Sequence, residues 1–317
     1  MAPLISLVVP LYRSAANVPS LLEALGRLHA ELGGRLEVVL VVDGSPDESA
    51  ALLHRALPEA GLDARLLELA RNFGAFAAIR AGLAAGRGDF FAVMAADLQE
   101  PPELIPLFYR RLASGEADIT LGLREGREDG LSGVFAGIFW FLYRRLVVPE
   151  VPPGGIDVFA CTRAVRDQLL TLEERHSSLV ALLLWVGFRR ELVPYRRRRR
   201  EVGKSAWTLG RKLAYLSDSV YSFSDLPIRW LLRAGLGGLA LSVLLSIFVI
   251  FARLSGAIEV PGYAATVLLV MFFGGLNSFG LGIIGNYVWR TYENTKQRPN
   301  AIHRQSHVFE GNHVCQH

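Results

Sequence analysis

Residues 36–49 read LEVVLVVDGSPDES, and this stretch decides the predicted fold. Its first seven residues are apolar except for Glu37, as in a strand that a sheet buries on both faces. Turn-forming residues follow, and a helical pattern begins near Asp47. The same unit of apolar run and helix recurs along the first hundred residues, at 4–9 with 17–32, at 64–69 with 75–85, and at 90–95. This alternation predicts βαβ units in an α/β fold, with a mostly parallel, Rossmann-like sheet covered by helices on both faces.

Composition adds a membrane component to this fold. The chain has 317 residues, 34 Lys and Arg against 30 Asp and Glu, and 51% apolar residues, with a mean hydropathy of +0.30. So much apolar side chain excludes a disordered protein and is unusual for a purely soluble enzyme. Two cysteines, Cys161 and Cys315, are too few for a disulfide framework and indicate reduced, intracellular thiols. The first ten residues lack a basic start and are interrupted by Pro10, so we expect no signal peptide and a cytosolic N-terminus.

Two uncharged stretches predict transmembrane helices. Residues 234–252 and 260–289 contain no charged side chain, and each is long enough to cross a hydrocarbon core of roughly 30 Å. Ten Lys and Arg residues lie between 189 and 212, whereas the turn predicted between the two stretches, at 253–262, holds only Arg253. This asymmetry predicts a multi-pass protein of the cytoplasmic (inner) membrane with both termini in the cytosol. Two buried helices of a large soluble core are the less favoured alternative.

These features predict three regions: a cytosolic α/β domain at 1–228, a two-helix transmembrane hairpin at 229–290, and a polar cytosolic tail at 291–317. The amphipathic stretch 209–223 suits either an interfacial helix or core packing. Four histidines of the tail show no metal-ligand spacing: His303, His307, His313 and His317.

Five consecutive arginines, Arg196 to Arg200, have competing interpretations. Close to the first predicted span, they favour contact with anionic headgroups, at about 1 kcal/mol per residue. A solvated charged loop explains 196–199 as well, and Arg200 is in addition a candidate for a ligand site. Nucleic-acid binding is disfavoured, because neither interleaved aromatic residues nor a nucleic-acid-binding fold accompanies the run.

Polar residues at the strand ends indicate a metal site. Ligands of open parallel sheets bind beyond the carboxyl ends of the strands. The residues that follow the predicted strands are 10–13, 43–47, 71–74 and 97–102. Asp97 and Gln99 offer oxygen ligands two residues apart, which suits Mg²⁺ or Mn²⁺ beneath a diphosphate. A lone aspartate at a strand end is more often a helix cap or turn residue, so this interpretation depends on its surroundings.

Motifs along nearly the whole chain resemble those of one enzyme family. In order they are VVPLYRSAANVP (8–19), VVDGSPDES (41–49), RNFGAFAAIRAGLAAGRGD (71–89), AADLQEPPE (95–103), LGLREGRE (121–128), GGIDVFACTR (154–163), WVGF (185–188), REVGKSAW (200–207), SFSDLPIR (222–229) and YENTKQRPNAI (292–302). The sequence resembles the GT-A, family-2 glycosyltransferases, and more narrowly the polyisoprenyl-phosphate glycosyltransferases, the group of dolichol-phosphate mannosyltransferase and bactoprenol glucosyltransferase. The resemblance implies a GT-A catalytic domain followed by two transmembrane helices.

The resemblance also assigns roles to residues. The implied catalytic residues are Asp97, Asp157, Arg124 and Arg127. The implied residues for binding the donor and its metal are Pro10, Tyr12, Asp43, Arg71, Asp97, Gln99, Arg200, Lys204 and Ser205. Asp97 and Gln99 are the implied ligands of Mg²⁺ or Mn²⁺. Arg124 and Arg127 are implied to lie near the lipid phosphate. The resemblance places Arg200, Lys204 and Ser205 in a loop that closes over the site.

Two positions depart from the family pattern. Ala95 stands where the family usually has the first aspartate of Asp-Ala-Asp, and metal affinity depends on the number of charged ligands. Three interpretations of Ala95 remain open. Metal binding is weaker, or the aspartate that the family has at this position acts mainly through the sugar, or the site is inactivated, whether naturally or by engineering. Phe159 stands where the motif around Asp157 usually has an arginine.

The implied reaction is the inverting transfer of a sugar from a nucleotide-sugar to polyprenyl (undecaprenyl) phosphate on the cytosolic membrane face. UDP-glucose or another UDP-sugar is favoured over GDP-mannose, because the Asp-Leu-Gln-x-Pro-Pro pattern and the two-span tail resemble bacterial members. A phosphate monoester with a second pKa near ~6 is already an anion at neutral pH, so no strong base is required. Repulsion between two anions must be overcome instead, and we expect a cation-rich site with few acids, in which Asp157 orients the acceptor or a sugar hydroxyl.

The expected partners are the nucleotide-sugar donor, the polyprenyl-phosphate acceptor and the membrane, without nucleic acid. Glycines in the two spans permit close helix packing within the hairpin or in a homo-oligomer. A catalytically silent, sugar-nucleotide-binding membrane scaffold or regulator is the alternative, motivated by Ala95.

Overall fold

The computed structural model describes residues 4–125, 137, 140–145, 148–152, 155–174, 178–198, 209–255 and 262–311. Within them the strands are β1 (Ile5–Leu11), β2 (Leu36–Val42), β3 (Asp63–Leu69), β4 (Phe90–Val93), β5 (Ile119–Glu125), β6 (Phe159–Thr162), β7 (Arg190–Arg196) and β8 (His303–Phe309). The α-helices are α1 (Val18–Glu31), α2 (Ser49–Ala56), α3 (Ala75–Ala85), α4 (Leu104–Ala113), α5 (Arg163–Thr171), α6 (Leu179–Trp185), α7 (Leu209–Phe223), α8 (Leu226–Leu254) and α9 (Tyr263–Thr295).

The described strands form one sheet in the order β7-β5-β6-β4-β1-β2-β3-β8. Strands β4, β1, β2 and β3 are parallel neighbours, and β5 and β7 form a further parallel pair. Strand β6 runs antiparallel to β4 and β5, and β8 runs antiparallel to β3. Six of the eight strands therefore point the same way, which confirms the predicted mostly parallel α/β sheet.

Helices cover both faces of this sheet because successive side chains of each strand point to opposite sides. Leu7 and Val9 of β1 belong to one buried core, together with apolar residues of α1, α2 and α4. Val8 belongs to a second core, on the opposite face, with apolar residues of α3, α5 and α6. Strand β2 is buried along its whole length. This burial on both faces explains why residues 36–42 form an almost unbroken apolar run.

The two long helices expose apolar side chains to their surroundings. Segments Leu226–Ala252 and Leu269–Thr295 are long and apolar enough to cross a membrane, judged by length and composition, and only 7% and 11% of their apolar windows are buried. Phe248, Phe251 and Leu254 are 67%, 72% and 83% exposed. Helix α8 begins before the predicted boundary at 229 and α9 continues beyond 290. Residues 256–261 of the predicted hairpin turn lie outside the described residues.

Helix α7 joins the α/β domain to these long helices, and its bounds agree with the predicted amphipathic stretch 209–223. Leu216, Val220 and Phe223 pack against the second core, so one face of α7 lies on the α/β domain. Arg290 of α9 is held to this helix, because its guanidinium donates to the Asp218 carboxylate at 2.6 Å. Helix α7 therefore contacts both the core and the second long helix.

The polar tail adds a strand to the sheet. Strand β8 pairs with β3, with His307 opposite Leu66 and Phe309 opposite Ala64. The segment HRQSHVF (303–309) predicts no strand, because it lacks the apolar alternation of a half-buried strand. Strand β8 forms because its backbone makes hydrogen bonds to the open edge of β3, and this pairing does not require an apolar side-chain pattern.

Candidate active site

The carboxyl ends of β1, β2 and β4 lie side by side in the middle of the sheet. Leu11 pairs with Val42, and Val8 pairs with Val93. The chain continues from β1 toward β2 on one side, while β4 lies on the other, so this is the topological switch point at which open α/β sheets bind ligands. The residues that follow these strands include the predicted Tyr12, Asp43 and Asp97.

Asp43 is 2% exposed and is bound to the backbone of the next loop. Its Oδ1 accepts a hydrogen bond from the Phe73 N–H at 2.7 Å, and its Oδ2 accepts one from the Gly74 N–H at 2.8 Å. Helix α3 begins directly afterwards, so the carboxylate also lies near the positive end of a helix dipole. The neighbouring Gly44 has φ +54°, and a Cβ there would lie 2.2 Å from the Arg71 carbonyl carbon. Asp43 thus connects the β2 loop to the start of α3.

Asp47 plays the corresponding role for the loop after β1. It accepts hydrogen bonds from the hydroxyls of Ser45 and Ser49 at 2.6 and 2.7 Å and from the Ala15 N–H at 3.0 Å. Burial alone would raise the pKa of Asp47, but these hydrogen bonds outweigh it and hold its pKa below the usual value. Residue Arg13 adopts φ +52°, and its N–H donates to Ser45. The loop that carries Tyr12 is therefore fixed by the loop after β2.

Three predicted donor-binding residues surround these loops. Pro10 is half-buried at the end of β1, and the Tyr12 side chain is 40% exposed beside it. Arg71 is exposed, and its guanidinium carbon lies 4.2 Å from the centre of the Phe73 ring. Both Tyr12 and Arg71 therefore present surface to a ligand at the switch point.

The DLQE segment follows β4 in a tight turn. Leu98 has φ +52°, which reverses the chain between Asp97 and Gln99. Asp97 is half-buried and Gln99 is 8% exposed. The Gln99 carbonyl accepts a hydrogen bond from the Arg198 N–H at 2.8 Å. The turn is thereby tied to the segment that follows β7.

Glu100 is the most deeply buried acid of this turn, with 1% exposure. Burial, together with the nearby charges of Asp157 and Asp97, raises its pKa from 4.5 to about 7, although Arg197 opposes the shift. The Nε atom of Arg197 lies 3.4 Å from Glu100 Oε1. This coupling means that the carboxylates of Asp97, Glu100 and Asp157 share one electrostatic environment.

Asp157 reaches the same edge because β6 runs against its neighbours. The start of an antiparallel strand lies beside the ends of the parallel strands, and Asp157 lies two residues before β6. Its Oδ2 accepts a hydrogen bond from the buried Tyr195 hydroxyl at 3.4 Å. A Cβ at Gly122 would lie 2.4 Å from Val158 and 3.0 Å from the Tyr195 ring, so glycine provides the room for this pairing.

Tyr195 connects Asp157 to Arg124, which lies opposite it in the β5–β7 pair. Burial and the charges of Asp157 and Glu100 raise the pKa of Tyr195, against the influence of Arg197 and Arg124. The phenol therefore keeps its proton at neutral pH and acts as a donor. Arg124 itself is half-buried at the end of β5.

Comparison with known proteins agrees with this geometry. Residues 6–172 match the family model described as glycosyl transferase family 2. The chain belongs to glycosyl transferase family 2. The family resemblance of the sequence motifs is thereby confirmed.

Two relatives of this family-2 transferase are similar over most of its length. The SfII prophage-derived bactoprenol glucosyl transferase of Shigella flexneri is 31% identical over 96% of this chain and 98% of its own. An undecaprenyl-phosphate 4-deoxy-4-formamido-L-arabinose transferase of Pseudomonas aeruginosa is 33% identical over 93% and 88%. Mannosyl-3-phosphoglycerate synthase from Rubrobacter xylanophilus superposes with a TM-score of 0.50 at 16% identity, over 74% of this chain and 75% of that one. This last likeness concerns the fold alone.

The side-chain oxygens at this edge of the family-2 domain are of the donor type that divalent cations bind. Among the described residues the donors are the side-chain oxygens of Asp97, Gln99, Glu100 and Asp157, and oxygen ligands suit Mg²⁺ and Mn²⁺. Within the same ranges, the buried Oε2 of Glu100 has no hydrogen-bond partner. A cation would satisfy this oxygen and reduce the repulsion that raises the pKa of Glu100.

The structure thus brings together some of the predicted residues of the transferase. Asp97 and Asp157 both lie close enough to Glu100 to shift its pKa, and Asp157 and Arg124 both lie beside Tyr195. Four other predicted residues lie outside the described residues: Arg127, Arg200, Lys204 and Ser205. The expectation of few acids is wrong for the described part of the site, where three carboxylates are coupled. Of the five-arginine run, Arg197 lies beside Glu100, and Arg198 donates to both carboxylate oxygens of Glu103 at 2.9 Å.

The sequence motifs did not indicate Glu100 or Tyr195 as site residues, and they favoured a headgroup or solvent contact for Arg197 rather than its place beside Glu100. The signal for Glu100 was its place directly after Gln99 in the same turn. Tyr195 and Arg197 gave no such signal, because their relation to Asp157 and Glu100 depends on the pairing of β5 with β7.

Proposed function

We propose that this chain transfers a sugar, with inversion, from a nucleotide-sugar to polyprenyl phosphate at the cytosolic face of a membrane. The observation that carries the proposal is the cluster of Asp97, Glu100, Asp157 and Tyr195 at the switch point of a family-2 sheet, in a chain that continues into two long apolar helices. The names of the Shigella and Pseudomonas relatives support a polyprenyl-phosphate acceptor. A UDP-sugar such as UDP-glucose is the proposed donor.

The proposed chemistry needs positioning and charge neutralisation more than a base. The acceptor phosphate is an anion at neutral pH and attacks the anomeric carbon while the nucleoside diphosphate leaves. Asp157, held by the Tyr195 hydroxyl, orients a sugar hydroxyl or the acceptor, and Arg124 offsets phosphate charge. When bound at Asp97 and Gln99, Mg²⁺ or Mn²⁺ supplies positive charge that stabilises the departing diphosphate.

The apolar helices α8 and α9 are proposed to span the cytoplasmic membrane as a hairpin, with both termini in the cytosol. Helix α7 contacts the α/β domain through Leu216 and the second span through Arg290. Such a connection would keep the site at a constant height above the bilayer, where a lipid phosphate can meet it without leaving the membrane.

The test is a transfer assay with the purified full chain in lipid nanodiscs. Undecaprenyl phosphate is offered with several UDP- and GDP-sugars and Mn²⁺ or Mg²⁺, and the glycolipid product is measured by mass spectrometry. We expect product that EDTA abolishes and that Asp97→Asn lowers by about 100-fold or more. Glu31→Gln, which removes an exposed carboxylate at the end of α1, is the control and should retain activity.

The same assay distinguishes the proposed enzyme from a catalytically silent scaffold, because only the enzyme forms a glycolipid product. Binding of nucleotide without glycolipid product, for every donor, would favour the scaffold that Ala95 suggests. Ala95→Asp restores the carboxylate of the usual family motif. A large gain in rate with this variant would mean that the natural site is impaired.

A further inference from the structure

A group of three metal-ligating side chains lies at the edge of the sheet that β3 and β8 form. His54 of α2, Glu68 of β3 and His307 of β8 have ligand atoms that all lie within 4.8 Å of one another. The Nε2 atom of His54 is 2.7 Å from Glu68 Oε1. The rings of His54 and His307 meet edge to face, with centroids 4.6 Å apart. We propose that these residues form a second metal site, for a zinc-class divalent ion.

The sheet register explains why these side chains converge. Residues directly opposite one another in an antiparallel pair project to the same face, as do residues two apart along a strand. His307 lies opposite Leu66, and Glu68 is two residues from Leu66. Both side chains therefore project toward the face that α2 covers, where His54 is placed. The ladder is irregular between Glu68 and Leu69, and such irregularities re-aim the neighbouring side chains.

The donor set distinguishes this site from the one at Asp97. Two imidazole nitrogens and one carboxylate favour zinc and its transition-metal neighbours, whereas Mg²⁺ prefers oxygen ligands alone. Zinc–nitrogen bonds near 2.0–2.1 Å place tetrahedral ligand atoms roughly 3.3 Å apart, so rotations of exposed side chains suffice to close the observed spacing. His54 is about one-third exposed and His307 is exposed, so both have the freedom to adjust.

The three ligands come from distant parts of the chain, which indicates what the metal would do. Helix α2 and strand β3 precede the two long apolar helices, and β8 follows them. A shared ion would fasten β8 to the α/β domain at a point where only one edge of the strand is paired. An ion at this site would therefore hold the three segments together, and its three protein ligands leave a fourth position for water.

The test is zinc binding by the purified full chain, stripped with a chelator and carrying no histidine tag. Excess Mg²⁺ is present to occupy oxygen-donor sites. We expect saturable binding of one Zn²⁺ that His307→Gln and His54→Gln each weaken by at least about tenfold, since loss of a ligand should cost no less than loss of an outer partner. His303→Gln is the matched control, because His303 is exposed on the same strand but opposite Leu69, outside the group.

Hydrogen exchange gives a readout that does not depend on activity. Zinc at 100 times its Kd should slow hydrogen exchange of the β8 amides by up to about 100-fold, for those amides that exchange only when the metal site opens. This effect is expected in the wild type and in His303→Gln. In His307→Gln, zinc should have little effect. Equal zinc affinity in all four proteins would mean adventitious binding and would overturn the proposal. So would the absence of saturable binding in the wild type, in which case His54 and Glu68 form only a hydrogen-bonded pair.

Discussion

Replacing Asp43 with asparagine should destabilise the α/β domain itself. Each carboxylate oxygen of Asp43 accepts one backbone N–H, from Phe73 at 2.7 Å and from Gly74 at 2.8 Å. Asparagine keeps one acceptor, but its amide group would then face the other N–H, donor against donor. One charge-assisted hydrogen bond is lost, which costs about 1.5–3 kcal/mol.

A loss of this size lowers the melting temperature by about 3–12 °C for a domain of this length. Asp43→Ala should be worse, because both buried N–H groups then lack a partner. The measurement is thermal unfolding in detergent followed by intrinsic fluorescence, in the presence of EDTA. Glu48→Gln removes an exposed carboxylate from the same loop and should leave the transition within about 1 °C of wild type.

Binding of UDP separates the structural role of Asp43 from its implied role as a contact to the nucleotide. Isothermal titration well below both melting temperatures compares the wild type with Asp43→Asn. A weakened affinity together with the lower melting temperature fits both roles, and unchanged affinity limits Asp43 to support of the α3 start. An Asp43→Ala protein that melts like the wild type would refute the reasoning.

Three further perturbations test other parts of the structure. Glu100→Gln should become more stable relative to the wild type as the pH rises from 4.5 to 8 in EDTA. The Glu100 carboxyl has a pKa of about 7 in the folded protein, so in this range it loses its proton more readily in the unfolded chain, which destabilises the folded wild type. Thermal melts measure this difference, and equal pH slopes for the two proteins would contradict it. Asp157→Asn should retain measurable turnover with an altered acceptor KM and an unchanged pH profile, whereas abolished turnover with unchanged affinities and a pH-dependent loss would make Asp157 a true base. Arg290→Gln removes the ion pair to Asp218 and should speed hydrogen exchange in α7 by about threefold or more, with Arg233→Gln as the control.

The sequence predicted the central part of the fold because burial leaves a strong pattern there. Strand β2 is covered on both faces, so its residues had to be apolar whatever their neighbours. The ends of such strands then located Asp43 and Asp97 at one edge, as the structure confirms. The family motifs added Asp157 and Arg124 to the predicted site, although the pattern of their own strands does not indicate that they lie at the same edge.

The remaining features depend on pairings between distant segments. Nothing in HRQSHVF predicts a strand, because β8 forms by backbone hydrogen bonds to an existing edge. The pKa of Glu100 depends on Asp157, which lies far along the chain and reaches the site only because β6 is antiparallel. For the same reason, sequence alone could not show that the carboxylate of Asp43 is bound to the backbone before α3.

The position of β8 bears on any attempt to isolate the α/β domain. A chain cut before the first apolar helix would lose the strand that covers β3, and β3 would present unpaired backbone groups along its whole edge. Edges of this kind recruit other chains, so we expect such a fragment to self-associate or aggregate. A soluble form is better sought by replacing both apolar helices with a flexible linker that lets residues 303–309 return to their place.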